Sequence, residues 1–242
     1  MLWGYNVGSG VTAPLPIKLD NKSHCHALIT GSSGSGKSYG MLFLIGSLLK
    51  ENPEIDIYLC DFKNSEDFVF LSTYVHYYGG NDCYKGVMEY YNSFCEGREN
   101  KTGLRRKLLI FDEYPAAISY YSTKDKQEKT KYATDLLNSI AEILMLGRGI
   151  GYGVWIVTQR ADASLFANGA RDNFMIFLGL GRMSKEQKGM IFAGEDVPSK
   201  VYQRGEGCLL ADGCPLMEVK IPKIKNIVNW KRHIKDILCG KS

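Results

Sequence analysis

The fold is decided by the stretch HALITGSSGSGKS, which occupies residues 26–38. Its first five residues are mostly apolar and predict a β-strand, and a helix is predicted from Ser38 to about Lys50. The turn between them matches G-x-x-x-x-G-K-[ST] at every fixed position. In such a loop the backbone N–H groups converge on phosphate oxygens, and the following helix adds the positive end of its dipole. The stretch therefore predicts a nucleotide-binding P-loop.

The residues of this loop have separate predicted roles. Lys37 is expected to reach the β- and γ-phosphates of ATP, and the Ser38 hydroxyl is expected to ligate Mg²⁺. ATP and Mg²⁺ are therefore the predicted cofactors. The predicted cofactor-binding set comprises Gly31, Ser32, Ser33, Gly34, Ser35, Gly36, Lys37 and Ser38.

An apolar run that ends in two acids supplies the second motif, LLIFDE at residues 108–113. Asp112, at the tip of a buried strand, is predicted to hold the Mg²⁺ shell together with Ser38. Glu113 beside it is predicted to orient and polarise an attacking water. The second acid favours hydrolysis over transfer of the phosphoryl group to an acceptor.

Two more predicted strands end in polar residues. Gln159 follows an apolar strand and is placed to sense the γ-phosphate or its water. Asp61 and Lys63 end the second strand of the chain and face the same rim. This expectation rests on the way the carboxyl ends of parallel strands gather at one edge of a sheet. Ordinary loop polarity is the alternative explanation for all three residues.

An arginine presented to a neighbouring subunit could neutralise charge in the transition state of hydrolysis. Arg148 lies among glycines between a predicted helix and the next strand, and Arg171 and Arg182 are alternatives. The residues themselves do not choose among the three.

Strands and helices alternate along the chain, which predicts an α/β fold with a mainly parallel sheet flanked by helices. A helix is predicted over 132–146, and a closing β-hairpin over 207–219. Residues 79–106 and 119–131 are polar and are predicted to be irregular.

Composition sets the class of the protein. The chain has 242 residues, of which 45% are hydrophobic and 23% charged, as in ordinary globular proteins. The longest apolar run, Met41–Ile45, is far too short to span a membrane. Seven cysteines without metal-ligand spacing favour a reducing compartment. We therefore expect a soluble, cytoplasmic protein without direct membrane insertion.

Positive charge is concentrated at the C-terminal end. Residues 217–242 contain seven Lys or Arg and two acids, which leaves the rest of the chain close to neutral. Nucleic acid is one candidate partner of this segment, and a solvated helix face is the alternative. The candidate DNA contacts are Lys124, Lys126, Lys129 and Lys131, in a predicted loop, and Trp230, Lys231 and Arg232 in the basic tail.

Taken together, the motifs resemble the FtsK/HerA branch of P-loop motors, and most closely the FtsK-like coupling proteins of Gram-positive conjugative elements. They occur in that family's order, at residues 26–38, 57–63, 110–114, 146–160, 167–174, 180–184 and 205–207. The stretch from Gly147 to Arg160 narrows the resemblance most. The chain's size is also similar to that of viral genome-packaging ATPases.

The resemblance implies a RecA-like ATPase core that forms a homo-oligomeric ring, usually a hexamer, and moves duplex DNA without sequence preference. It also implies that Arg148 holds the arginine-finger position. Residues 24–221 would be the motor domain, 1–23 an N-terminal arm or subunit contact, and 222–242 a basic tail. The chain is too short for an anchor and DNA-reading modules as well, so a membrane or capsid protein is an expected partner.

Two other functions remain open at this point. A P-loop kinase would yield a phosphorylated product, although Glu113 and the lack of an arginine-rich lid count against it. A nucleotide-gated binding protein would bind ATP with little turnover. Conjugation, packaging and segregation remain alternative settings for a motor.

Overall fold

A computed structural model describes residues 1–8, 10, 12–100, 105–162 and 165–240 of the chain. Its strands are β1 (Leu2–Asn6), β2 (Leu15–Lys18), β3 (His26–Gly31), β4 (Asp56–Asp61), β5 (Tyr77–Gly79), β6 (Lys107–Asp112), β7 (Tyr152–Thr158), β8 (Ile176–Leu180), β9 (Glu206–Ala211) and β10 (Met217–Lys220). Its helices are α1 (Lys37–Glu51), α2 (Cys83–Asn100), α3 (Tyr114–Glu128), α4 (Tyr132–Leu146), α5 (Lys185–Ile191) and α6 (Ile227–Cys239). The predicted α/β class is confirmed.

The strands form one sheet in the order β2-β1-β10-β9-β8-β3-β7-β6-β4-β5. From β8 to β5 all neighbours are parallel, whereas β9, β10, β1 and β2 continue the sheet with antiparallel pairs. The carboxyl ends of β3, β4, β6 and β7 therefore meet at one edge of the sheet, the P-loop edge. The predicted parallel core and the hairpin of β9 and β10 are both present.

Side chains of the central strands alternate between two apolar cores, one on each face of the sheet. In β3, Ala27 and Ile29 pack on the side of α1 and α6, while Leu28 packs on the side of α2, α3 and α4. The same alternation holds in β6, where Ile110 faces the first core and Phe111 the second. Both faces are covered, which is why the parallel strands are apolar along their whole length.

Helix α1 is buried on nearly every side, because the sheet lies against one face and α6 covers much of the other. This explains the apolar run that starts at Met41. Throughout the described part of the chain, no helix combines the length and apolar character that a membrane span requires.

The prediction that residues 79–106 and 119–131 are irregular is wrong, apart from 101–104, which lie outside the described residues. Helix α2 covers most of the first segment and α3 most of the second. Lys124 and Lys126 are accordingly helical, and only Lys129 and Lys131 lie in the turn before α4. The buried residues of α2 include Cys83, Val87, Tyr90 and Phe94, and those of α3 are Tyr114, Ala117, Ile118 and Tyr121.

The two ends of the chain pack on the core. Residues 1–23, predicted as an arm or subunit contact, contribute β1 and β2 to the sheet, and β1 pairs with β10. Trp3 is buried against Trp155, with the ring centroids 5.3 Å apart. Most of the predicted basic tail is α6, which packs on α1. Both segments are held by contacts of apolar residues. The polar residues between them make these contacts hard to predict from the sequence.

Candidate active site

The P-loop connects the end of β3 to the start of α1. Gly34 and Gly36 have φ angles of 79° and 95°, in the left-handed region that glycine adopts without steric cost. Within the turn the Ser35 N–H donates to the Ser32 carbonyl at 3.1 Å. The glycine spacing thus produces the tight loop that the motif requires.

The start of β9 braces this loop from outside. The Gly205 N–H donates to the Ser35 carbonyl at 2.8 Å, and a Cβ on Gly36 would come within 3.0 Å of the Gly205 nitrogen. At Gly207 a Cβ would lie 1.8 Å from the Gly179 carbonyl oxygen, so no side chain fits there. The Gly-Glu-Gly motif therefore allows β9 to approach both the P-loop and β8.

Lys37 is the first residue of α1, and its side chain turns back into the loop. Its ammonium donates to the Gly31 carbonyl at 2.5 Å and to the Ser32 carbonyl at 3.5 Å. Burial lowers the pKa of this ammonium, while the carboxylates of Glu113 and Asp112 act in the opposite direction. The lysine therefore holds its positive charge against the backbone of the P-loop.

Asp112 ends β6 directly beside Asp61, the last residue of β4, with which it is in register. Both side chains are buried. Burial, together with the neighbouring charges of Glu113 and Asp61, raises the pKa of Asp112 to about 7, against the opposing effect of Lys37 and Lys63. Three carboxylates, those of Asp61, Asp112 and Glu113, thus lie close together at this edge of the sheet.

Asp61 is only partly satisfied by hydrogen bonds. Its Oδ2 accepts from the Ser65 N–H at 2.8 Å, the Ser65 hydroxyl at 3.2 Å and the Tyr77 hydroxyl at 3.2 Å. Its Oδ1 is buried without a hydrogen-bond partner among the described residues. Burial is the main cause that raises the pKa of Asp61. Asp61 thus lies at the predicted rim, and its carboxylate can accept a further hydrogen bond.

These oxygens fit Mg²⁺. The ion prefers hard oxygen ligands and usually keeps several waters and phosphate oxygens of its own. The Ser38 hydroxyl and the Asp112 carboxylate supply such ligands beside the P-loop. A divalent cation there would also offset the repulsion that raises the pKa of Asp112. Ser38 and Asp112 are therefore the residues that would hold the metal.

Glu113 precedes α3 with φ 58° and ψ 41°, a left-handed conformation that is uncommon outside glycine. Its N–H donates to the Val157 carbonyl at 3.0 Å, which fixes the backbone beside β7. Its Oε1 accepts a hydrogen bond from Gln159 Nε2 at 3.2 Å and forms an ion pair with Lys63 Nζ at 2.7 Å. The strained backbone thus directs a carboxylate held by two donors.

A cleft of about 350 Å³ brings these groups together. It contains the predicted site residues Lys37, Ser38, Asp112, Glu113 and Gln159, along with Lys63. Sequence reasoning missed Arg204 and Ile227 as parts of this cleft and named Lys231 only as a candidate DNA contact, with solvated surface as the alternative. The residues that line the cleft are Ser32, Ser33, Gly34, Gly36, Lys37, Ser38, Tyr39, Leu42, Lys63, Ser65, Asp67, Asp112, Glu113, Gln159, Arg204, Ile227 and Lys231.

Arg148 lies outside this cleft. It is exposed in a short 3₁₀ turn that precedes β7, and β7 runs parallel to β3, so the residue lies at the sheet edge opposite the P-loop. Arg171 precedes β8 and is likewise remote, whereas Arg182 follows β8 at the P-loop edge without lining the cleft. None of the three arginines lines the cleft of its own chain.

Residues 6–93 of the chain match the family model of the FtsK/SpoIIIE family. The predicted FtsK-type resemblance is confirmed. The FtsK domain-containing protein YdcQ of Bacillus subtilis (strain 168) is 28% identical over 235 residues, which are 89% of this chain and 46% of YdcQ. The chain thus spans slightly less than half the length of that relative.

Solved structures with the same fold include an ATPase, a conjugation coupling protein and a packaging NTPase. EssC (ATPases 2 and 3) from Geobacillus thermodenitrificans matches 98% of this chain and 48% of its own, with 16% identity and a TM-score of 0.70. The pCW3 conjugation coupling protein TcpA, solved with ATPγS, matches 91% of this chain and 64% of its own, with 18% identity and a TM-score of 0.69.

One similar solved structure is of a shorter protein, which is matched over nearly its whole length. The genome packaging NTPase B204 of Sulfolobus turreted icosahedral virus 2 matches 84% of this chain and 99% of its own, with 18% identity and a TM-score of 0.51. At these identities the likeness establishes the P-loop NTPase fold, which agrees with the fold predicted from the motifs.

Proposed function

We propose that this FtsK-type domain is an ATP-hydrolysing motor that moves DNA during transfer, packaging or segregation of a mobile element or virus. The observation that carries the proposal is the convergence of Lys37, Asp112, Glu113 and Gln159 in one cleft beside the P-loop. This arrangement provides a phosphate cradle, a metal ligand and a carboxylate for water in a single site.

The residues divide the chemistry among themselves. The loop amides and Lys37 bind the phosphates, and Mg²⁺ held by Ser38 and Asp112 would supply charge neutralisation on them. Glu113 orients the attacking water and accepts its proton, because its carboxylate is aimed into the cleft by the backbone. Lys63 and Gln159 hold the same carboxylate oxygen and so fix its direction.

DNA is the proposed polymer because TcpA is a conjugation coupling protein and B204 is a genome packaging NTPase. Three lysines near the junction of α3 and α4, Lys126, Lys129 and Lys131, are exposed. Lys124 is engaged instead: it lies 3.7 Å from the Glu128 carboxylate and 5.1 Å from the Tyr132 ring centroid. The exposed three are thus the better candidates for salt-sensitive contacts to phosphates.

The helix α3 links these lysines to the cleft. It begins immediately after Glu113, and it ends immediately before Lys129. The turn that follows is fixed by Asp125, whose carboxylate accepts hydrogen bonds from Thr130, Tyr132 and Ala133 at 2.7–2.9 Å. A change at the hydrolytic carboxylate therefore has a rigid route to the proposed DNA contacts.

The test measures ATP hydrolysis with and without duplex DNA of increasing length, at low and at physiological salt. We expect DNA to raise the rate, and the rise to fall steeply with salt. We also expect a homo-oligomeric ring, usually a hexamer in this family, by light scattering when ATP and DNA are both present. Lys37→Ala should abolish turnover and weaken nucleotide binding.

A pair of double variants tests the DNA contacts. Lys129→Ala with Lys131→Ala should reduce the stimulation by DNA, whereas Lys18→Ala with Lys22→Ala, on exposed residues near the far edge of the sheet, should not. Because the type VII secretion ATPase EccC also shares the fold, an unfolded polypeptide serves as the competing polymer. A hydrolysis rate that DNA leaves unchanged, at every DNA length and salt concentration, would contradict the proposal.

A further inference from the structure

The C-terminal helix α6 is anchored on α1 by a tight aromatic contact. Trp230 stacks on Phe43 with ring planes 3° apart and centroids 6.0 Å apart, and its Nε1 donates to the Leu42 carbonyl at 2.8 Å. The contact needs a glycine opposite, because a Cβ on Gly46 would come within 2.4 Å of the indole. Ile234, one turn further, is fully buried. The position of α6 relative to the P-loop helix is thus well determined.

This docking turns a second face of α6 toward the cleft. Ile227 and Lys231 are one helical turn apart, so they share that face, and both line the cleft. The Lys231 ammonium lies 5.1 Å from the ring centroid of Phe70, in the short 3₁₀ turn that follows β4. The Lys231 side chain therefore extends from α6 to the 3₁₀ turn that contains Phe70.

The wall between α1 and α6 differs from the rest of the cleft. Its members Leu42 and Ile227 are apolar, and Tyr39 accepts a hydrogen bond from the Ile224 N–H. At the P-loop edge, by contrast, the cleft is lined by charged groups. Lys63 there is already paired with Glu113. Lys231 adds a cation to the cleft from the side of α6.

We propose that α6 completes the nucleotide site, with Lys231 as a ligand of phosphate or ribose oxygens and the wall of Tyr39, Leu42 and Ile227 in contact with the nucleoside. The inference rests on the proposed nucleotide-binding function and extends it to a helix outside the P-loop core. It also gives a different role to Lys231, which from the sequence is a candidate DNA contact or a solvated surface residue. Docking of the C-terminal helix and nucleotide affinity are then coupled.

The experiment titrates a fluorescent ATP analogue with Mg²⁺ into the full chain. We expect Lys231→Ala to raise the Kd about tenfold, as befits the loss of one charge-assisted hydrogen bond. Lys235→Ala is the matched control, because it removes the same charge one turn along the same helix and does not line the cleft. It should stay within about twofold of the unmodified chain. Equal affinities for the two variants would overturn the inference.

Thermal unfolding without nucleotide separates binding from folding. Lys231→Ala should keep the midpoint of the unmodified chain but show a smaller increase on addition of Mg²⁺ and ATP. If the alanine variant is itself less stable, Lys231→Met replaces it, because methionine keeps the apolar stem over Phe70.

Lys37→Ala distinguishes the two proposals. If Lys37→Ala loses ATP and Lys231→Met does not, the role of α6 is refuted alone. If neither the unmodified chain nor any variant binds ATP, the proposed function fails with it.

Discussion

Glu113 combines two features that are costly for folding. Its backbone is left-handed without being glycine, and its carboxylate is nearly buried. Such strain costs of order 1–3 kcal/mol and persists where the surroundings impose it. Here the N–H bond to Val157 and the contacts with Lys63 and Gln159 impose it. The conformation is thus part of the site's construction.

Replacement of this carboxylate should separate binding from hydrolysis. We expect Glu113→Gln to retain Mg²⁺ and ATP, while its hydrolysis rate falls about 100-fold or more, because an amide cannot accept the proton of water. Phosphate release and nucleotide titration would measure the two effects. Glu195→Gln, on an exposed residue remote from the cleft, should match the unmodified chain. Unchanged hydrolysis in Glu113→Gln would remove the residue from the mechanism.

His26 should make the fold sensitive to acid. Burial lowers its pKa from 6.5 to about 4, and the charge of Arg148 acts in the same direction. Its Nδ1 accepts a hydrogen bond from the Val154 N–H at 3.1 Å, which requires the unprotonated nitrogen. Because the unfolded state takes up the proton near pH 6.5, this residue's contribution to stability is present above that pH and falls as pH drops toward 4.

Urea unfolding from pH 7.5 to pH 4.5 measures this dependence. The His26 contribution is at most about 1.4 kcal/mol per pH unit. His26→Asn keeps an acceptor for the Val154 N–H, and its acid slope should be smaller than that of the unmodified chain. Parallel slopes for the two proteins would show that other groups cause the loss.

At the scale of elements, the contact between α1 and α6 depends on Gly46. Gly46→Ala should destabilise the fold by about 1–3 kcal/mol, because the new Cβ would overlap Trp230 and the indole would have to move. Thermal unfolding measures the effect. Gly189→Ala in α5 is the control, since a Cβ there has nothing within 4 Å. That variant should be neutral or slightly more stable, and an equal loss in both would contradict the packing argument.

The sequence predicted the elements whose apolar residues are numerous and regularly spaced. Helix α4, with Leu136, Ile140 and Leu144 on one face, has the predicted bounds. Helices α2 and α3 were not predicted, because their buried faces consist largely of tyrosine, alanine, cysteine and glycine. These residues give only a weak apolar pattern in the sequence. Strand β2 was not predicted, because it contains Pro16, and proline argues against a strand.

The same distinction applies to the candidate site. The P-loop, Asp112, Glu113 and Gln159 could be placed together, because the tips of parallel strands share an edge. Arg204, Ile227 and Lys231 could not, since they reach the cleft only through packing of distant segments. No local pattern in the sequence reports that α6 folds back on α1.

For the whole molecule, Arg148 at the edge opposite the P-loop makes a prediction about assembly. If this residue acts as a finger in a neighbouring subunit, Arg148→Ala should bind ATP normally yet lose turnover. Mixing Arg148→Ala with Lys37→Ala subunits should restore part of the activity, because some sites would combine an intact P-loop with an intact arginine. Absence of any recovery, in a mixture shown to form mixed assemblies, would remove the assignment in trans.

Helix α3 also has a consequence as a lever. Its 15 residues give it a length of about 22 Å, so a rotation of about 10° at Glu113 would displace the far end by about 4 Å. The rise of one base pair along B-DNA is about 3.4 Å. Under the proposed function, a small change of angle at Glu113 is thus geometrically enough to carry Lys129 and Lys131 past one step of a duplex.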